Sequence, residues 1–179
     1  LVRNHVKRLI GEKYLNDFYG VYDCVSDLKK AWSGLPENFV LKTNHWSGGN
    51  FFIKNKEEVD KEILFKQLKK LLRKNYYYQN KRGFLKLKGE WNYKDIKPKI
   101  ICEKYLDDGS GQLKDYKFFC FNGKPKFIEV DVDRFSDHKR CFYDVNWERQ
   151  DFTIKYPLAE EQIKRPINLE EMLQIAKKL

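Results

Sequence analysis

The dipeptide Asn122-Gly123 constrains this chain more than any other feature. It separates Lys114 to Phe121 from Lys124 to Asp133, two runs in which apolar and polar residues alternate. A two-residue hairpin loop needs positive φ at both positions, which Asn and Gly tolerate best, so the pattern predicts a type I′ β-hairpin. Counting outward from that loop pairs Lys117 with Ile128 and Asp115 with Val130. Asp115, Lys117, Ile128, Val130, Val132 and Arg134 then share one face. A lysine and a carboxylate two apart on one face can pair with each other or grip a phosphate, and both readings stay open. Arg134 lies roughly 20 Å from Lys117 along a straight strand, so only a bend or bulge brings both to one phosphate.

A second strand-turn-strand stands earlier. Phe39 to Thr43 is β-prone, Asn44 to Asn50 is a polar Gly-rich turn, and Phe51 to Ile53 returns. Asn55 and Glu58 have capping-box spacing ahead of Val59, Ile63, Leu64, Leu68, Leu71 and Leu72, which predicts a helix running to about Lys74. Upstream, Val6, Leu9 and Ile10 recur at helical spacing within Asn4 to Leu15, and Leu35-Pro36 closes an entry segment. Ile100 to Cys102 reads as a buried strand ended by Asp107, Asp108 and Gly109, with a change of lobe there. Pro166 and Asn168, with Glu171, open a last helix through Leu169, Met172, Leu173 and Ala176.

The 179 residues, 16% of them aromatic, suffice for one large domain or two lobes, which excludes a disordered chain. The four cysteines lie far apart with no CxxC pair, which fits buried free thiols in a reducing compartment. No apolar run reaches the roughly 20 residues that span a bilayer, and no apolar signal opens the chain, so the expected location is cytoplasmic. The absence of an initiator Met and a stop within a predicted helix read as a fragment of something longer. A formal net charge of +10 favours anionic partners.

Two constellations could hold a nucleotide. Lys42 followed by Ser47-Gly48-Gly49 places a point charge at a strand end beside a loop whose backbone N–H groups can approach phosphate oxygens. It is not a Walker loop, because no Gly-Lys-Ser/Thr is present and a strand follows. A purely structural Gly turn is the competing reading. The strand Lys99 to Leu106, with Glu103, Asp107 and Asp108, offers extended backbone to an adenine ring and a carboxylate to a ribose. Solvated turn acids are the alternative there. His5, His45 and His138 have no second ligand at metal spacing, so no zinc is assigned, and His45 fits a supporting role better than a base.

These residues together carry a resemblance. The elements Phe39-Val-Leu-Lys42-Thr-Asn44-His45 with Ser47-Gly48, Glu90-Trp91-Asn-Tyr93-Lys94, Lys99-Ile-Ile-Cys-Glu103-Lys-Tyr-Leu106, Asp115-Tyr-Lys117 through Gly123-Lys-Pro-Lys, and the Pro166 to Leu179 helix are similar in order and spacing to the TupA-like ATP-grasp family. The resemblance implies an α+β ATP-grasp fold in which two lobes with mostly antiparallel sheets clasp ATP, the C-terminal lobe being incomplete. It divides the chain into an entry helix and connector over 1–35, a central lobe with a phosphate lid over 36–105, and part of a C-terminal lobe over 106–179. Lys42 would meet the α- and β-phosphates, and Ser47, Gly48 and Gly49 would close over the β- and γ-phosphates. Glu103, Lys104 and Leu106 would face adenine, Asp108 before Asp107 the ribose, and Asp115 the terminal phosphate. Lys117 and Arg134 would act as catalytic cations, although Arg134 sits about three residues later than the family's basic residue. The family's Mg²⁺-binding acids would follow Leu179, so the metal ligands are unknown.

The resemblance further implies a carboxylate-amine ligase that uses ATP and Mg²⁺ through an acyl phosphate in surface-polysaccharide or capsule biosynthesis. An acidic sugar or amino acid would be the substrate and a fused or associated glycosyltransferase a partner. An ATP-grasp kinase or nucleotide-sensing module is one alternative. A nucleic-acid-binding module, motivated by charge and by Tyr76-Tyr77-Tyr78, is another, but no recognisable nucleic-acid motif accompanies it.

Overall fold

The computed structural model describes residues 2–78, 90–107, 109, 113–133 and 137–179. It is α+β with two four-stranded antiparallel sheets. Two compact units form, one from Asn16–Tyr105 and one from Leu1–Leu15 with Leu106–Leu179. Leu1–Leu15 thus group with Leu106–Leu179 rather than with the residues that directly follow them.

In the unit over Asn16–Tyr105, strand β1 (Phe18–Tyr22) is followed by helix α2 (Val25–Ala31), strands β2 (Phe39–Thr43) and β3 (Phe51–Ile53), helix α3 (Lys61–Leu72) and strand β4 (Ile100–Glu103). The sheet order is β1-β4-β2-β3. Alternation along β2 sends Phe39 and Leu41 inward, and with Ile53, Ile100 and Cys102 they pack on Leu28, Trp32, Leu64 and Leu68. The Trp32 ring meets Phe39 and Phe65 edge-on at centroid distances of 5.5 and 5.4 Å. Helix α3 starts later than its capping-box signature predicts. Asn55 caps only a single 3-10 turn, accepting from Glu57 N–H at 3.0 Å, and Val59 is extended. Asp60 is the effective N-cap, its Oδ1 accepting from Ile63 N–H at 2.9 Å.

In the other unit, α1 (Val2–Ile10) precedes β5 (Asp115–Phe121), β6 (Lys124–Val132), β7 (Lys139–Asp144), β8 (Arg149–Gln150) and α4 (Leu169–Lys178), and the strands lie in that order. The turn has φ of 48° at Asn122 and 73° at Gly123, the double positive that type I′ requires. The register beyond it differs from the count outward. Phe121 pairs with Lys124 and Cys120 with Pro125, but Phe119 pairs with Phe127, leaving Lys126 unopposed in a bulge. Proline has no N–H to give the ladder and is at home next to such an interruption. The shift of one residue pairs Lys117 with Glu129 and Asp115 with Asp131, so Ile128, Val130 and Val132 fall on the face opposite to Lys117.

That opposite face is the core. Ile128, Val130, Cys141 and Tyr143 pack with Trp147, Ala159, Ile163 and Leu169. Tyr143 stacks on Trp147 at 4.2 Å, its hydroxyl accepts from Ile163 N–H at 2.8 Å, and Trp147 Nε1 donates to the Ile163 carbonyl at 3.0 Å. Asn168 makes no side-chain cap on α4. Glu171, its expected capping-box partner, instead accepts from Tyr14 and pairs with Lys13 at 3.4 Å, tying α4 to the segment after α1.

Candidate functional site

The outward face of the β1-β4-β2-β3 sheet carries Lys42 and Glu103. Lys42 and Glu103 alternate with the buried Leu41 and Cys102, and they lie on adjacent strands where Lys42 is opposite Ile101 and Val40 opposite Glu103. Cross-strand proximity joins them: Lys42 Nζ donates to Glu103 Oε2. The lysine side chain is 41% exposed and the glutamate 16%. A cation thus stands at the surface of a sheet whose other side is core.

The loop after β2 splits into an open tip and a packed base. Ser47 and Gly48 are exposed, and Gly48 has φ of 84° with open space around it. Gly49 is buried, and a Cβ there would meet Thr43 Oγ1 at 3.0 Å and Leu71 Cδ1 at 3.1 Å. Gly49 therefore has a packing reason, and the surface available to an anion is that of Ser47 and Gly48. His45 anchors the loop: it is fully buried and its Nε2 lies 3.2 Å from the Leu71 carbonyl at the end of α3. Asn44 accepts from Lys99 N–H at 2.8 Å and donates to the Lys97 carbonyl at 3.0 Å, fixing the start of β4 beside the loop.

Past β4, Lys104 N–H donates to the Asp17 carbonyl at 2.9 Å and the Lys104 carbonyl accepts from Asn16 Nδ2 at 2.9 Å. The carbonyl keeps a second lone pair, but the N–H is committed. Lys104 Nζ pairs with Asp17 at 3.0 Å. Leu106 is exposed. Asp107 closes a local turn by accepting from Gly109 N–H at 2.8 Å. Asp108 and Arg134 lie outside the described residues.

The polar face of the β5-β6-β7-β8 sheet carries Lys117 and Asp115, and here the structure adds residues that sequence reading missed. Lys117 Nζ donates to Glu129 Oε1 at 2.7 Å and to Asp131 Oδ2. Asp131 Oδ1 accepts from Arg140 Nε at 2.7 Å and lies 2.9 Å from His138 Nε2. Arg140 Nη2 reaches Glu129 Oε1 at 2.9 Å and its Nη1 donates to the Ile154 carbonyl at 2.8 Å. Tyr156 closes the cluster, stacked on His138 at 3.8 Å and lying under the Arg140 guanidinium at 4.9 Å. The carboxylates are 4% and 1% exposed and Arg140 9%, whereas Lys117 is 45% exposed. Among the described residues this is a buried network of two carboxylates and a guanidinium with the Lys117 ammonium at its surface. Burial opposes ionisation of Asp131, but hydrogen bonds from Arg140, Lys117 and His138 outweigh it and hold the carboxyl well below the usual carboxylate range. For Lys117, burial works against the charge, and Asp131 and Glu129 outweigh it, raising its pKa. Asp115 sits beside Lys117 on this face, opposite Asp131. The missed signal was Pro125: a bulge beside it puts Glu129 and Asp131, rather than Ile128 and Val130, next to Lys117.

A concavity of about 1310 Å³ lies between α2 and α3, lined by Lys29, Trp32, Phe65, Lys69 and Arg73 among others. It is on the helical side of its sheet, whereas Lys42 and Glu103 face the other way. Among the described residues no group of three or more His, Cys, Asp or Glu is placed to hold a metal ion. Nor is any described helix long and apolar enough to cross a membrane.

No curated protein and no solved structure matches the chain. The model of one family, described as TupA-like ATPgrasp, matches residues 1–179. The match covers the half-buried strand lysine Lys42, the open Ser47-Gly48 tip, and Lys117 on its buried carboxylates. The chain belongs to the TupA-like ATP-grasp family.

Proposed function

We propose that the protein is an ATP- and Mg²⁺-dependent ligase that joins a carboxylate to an amine, with an acidic sugar or amino acid of a surface polymer as the carboxylate. Family membership implies ATP-dependent, ligase-type activity. The observation that carries the reading to residues is Lys42, which pairs with Glu103 on the outward sheet face in the same unit as the open Ser47-Gly48 tip. Lys42 would bind the α- and β-phosphates, and Ser47 and the Gly48 backbone would close over the β- and γ-phosphates. Glu103 would orient the Lys42 ammonium, and the stretch from Glu103 to Leu106 would receive adenine. Lys117 would stabilise charge on a terminal phosphate, with Asp115 beside it. ATP supplies the γ-phosphoryl group that activates the carboxylate for attack by the amine. Cations serve such chemistry by electrostatic stabilisation rather than by moving protons. No metal ligand is assigned among the described residues.

Two measurements test this. Calorimetric titration of Lys42→Ala should show ATP binding weakened roughly tenfold to a hundredfold, the worth of one charged phosphate contact. Leu41→Ala, by contrast, should destabilise by roughly 2 to 5 kcal/mol, since Leu41 is fully buried on the opposite face. Parent-like ATP affinity in Lys42→Ala would remove the phosphate assignment. Incubation with ATP, uronic acids and amino acids should release ADP and yield an amide. A stable phosphate ester would make the protein a kinase, and unchanged ATP with every carboxylate would count against a ligase.

A further inference from the structure

Lys117 stands at the surface, while the groups that hold it are buried. An ammonium has three N–H donors and no acceptor. Two of them are spent inward, on Glu129 Oε1 at 2.7 Å and on Asp131 Oδ2, and the third finds no partner among the described residues. The two carboxylates cannot drift, because each is also gripped from β7: Arg140 reaches Glu129 at 2.9 Å and Asp131 at 2.7 Å. Arg140 is itself fixed by the Ile154 carbonyl and by Tyr156. A free lysine sweeps its charge through many rotamers, which costs entropy whenever it must be ordered on a ligand. Here that ordering is built into the sheet.

We propose that Glu129 and Asp131 are positioning residues for Lys117: by taking two of its three donors they aim the remaining N–H at a single anionic oxygen of the nucleotide's terminal phosphate. Arg140 is the counter-charge that keeps both carboxylates seated while Lys117 faces outward. This inference rests on the reading above that Lys117 meets the terminal phosphate, and it adds that the aim of Lys117, not its charge alone, is what the buried network supplies. The two ideas differ in sign. Removing a carboxylate makes the surroundings more positive, so if charge were all that mattered, a polyanion would bind more tightly. If positioning matters, recognition of the terminal phosphate weakens despite the gain in positive charge.

The test is the ratio of ADP to ATP dissociation constants, measured calorimetrically with Mg²⁺ for the parent, Lys117→Met, Glu129→Gln and Asp131→Asn. Lys117→Met should lower the preference for ATP roughly tenfold to a hundredfold, with ADP binding unchanged. Glu129→Gln and Asp131→Asn should each lower that preference in the same direction, by a smaller factor. Glu129→Gln guards against misfolding, since Glu129 has two side-chain partners, Lys117 and Arg140, where Asp131 also has His138. If Lys117→Met leaves the ratio unchanged, Lys117 does not meet the terminal phosphate, and both the assignment and the positioning role fall. If Lys117→Met lowers the ratio but a folded Glu129→Gln holds or raises it, the assignment stands and the positioning role alone is refuted.

Discussion

Arg140→Met is the perturbation that most directly measures what the buried network contributes to stability. Arg140 touches both carboxylates, which are 4% and 1% exposed, and methionine keeps much of its aliphatic length while removing the charge. Among the described lysines and arginines, Lys117 alone would then remain in contact with Glu129 and Asp131. Breaking a buried ion pair by removing one partner costs about 3 to 5 kcal/mol, because the other charge is left without compensation. For a chain of this size, about 2 to 4 °C of melting temperature per kcal/mol converts that to a drop of roughly 6 to 20 °C. The effect should also depend on pH in a defined direction. The folded-state pKa of Asp131 lies below its unfolded value, so its contribution is present above about 3.9 and is lost as pH falls below that. Below that point the gap between parent and Arg140→Met should narrow, because the unfolded chain and the uncompensated carboxyl of the variant take up protons while Asp131 of the folded parent stays ionised. Thermal melts at neutral pH and near pH 3 provide both readings. A loss under about 1 kcal/mol at neutral pH, the scale of a surface pair, would show that the network is solvated and that the burial argument is wrong.

Two further outcomes follow from packing. Gly49→Ala should destabilise by about 1 to 3 kcal/mol in chemical denaturation, since its Cβ would lie 3.0 Å from Thr43 Oγ1 and 3.1 Å from Leu71 Cδ1. Parent-like stability would mean that the loop base is looser than described. A thiol reagent should label the exposed Cys24 and Cys120 rapidly in the native protein and the buried Cys102 and Cys141 only after unfolding. Burial, with the nearby Glu103 charge, pushes the Cys102 thiol up to about 12, so little thiolate is present at neutral pH. Rapid native labelling of all four would contradict this.

The parts of the fold that local chemistry dictates were legible in the chain. Asn122-Gly123 specifies its turn, and alternation along Phe39 to Thr43 is enough to separate Leu41 from Lys42. Harder to read were features fixed by partners distant in sequence. Lys42 and Glu103 are 61 residues apart, and their pairing follows from the order of strands in the sheet, which alternation does not encode. Strand β1, Phe-Tyr-Gly-Val-Tyr, has no buried residue, and α2 has Leu28 alone, so neither carries a strong periodic signal. At α3 two capping residues stood five positions apart, and the extended Val59 between them decides for Asp60. The ion network was hidden differently. Its residues were visible as acids and bases, but their face depended on one unpaired residue beside Pro125.

Lys126 therefore acts as a phase shifter. Between the turn and β7, β6 must satisfy two neighbours: β7 fixes which of its residues face the core, whereas the tight turn fixes where β5 begins. Without the bulge, with Lys126 taken into a regular ladder, these two requirements are out of step by one. Since β6 is locked to β7 through six paired positions, closing the bulge in that way would be absorbed by β5, which would have to turn over. Tyr116 and Phe118 would then share the face of Glu129 and Asp131, and Lys117 would point into the core. Composition would not change, yet the sheet would lose its outward cation and acquire a buried one. The outward cation thus depends on Lys126 staying unopposed: deleting Lys126 altogether leaves a regular ladder with Lys117 still opposite Glu129, whereas pairing it reverses β5.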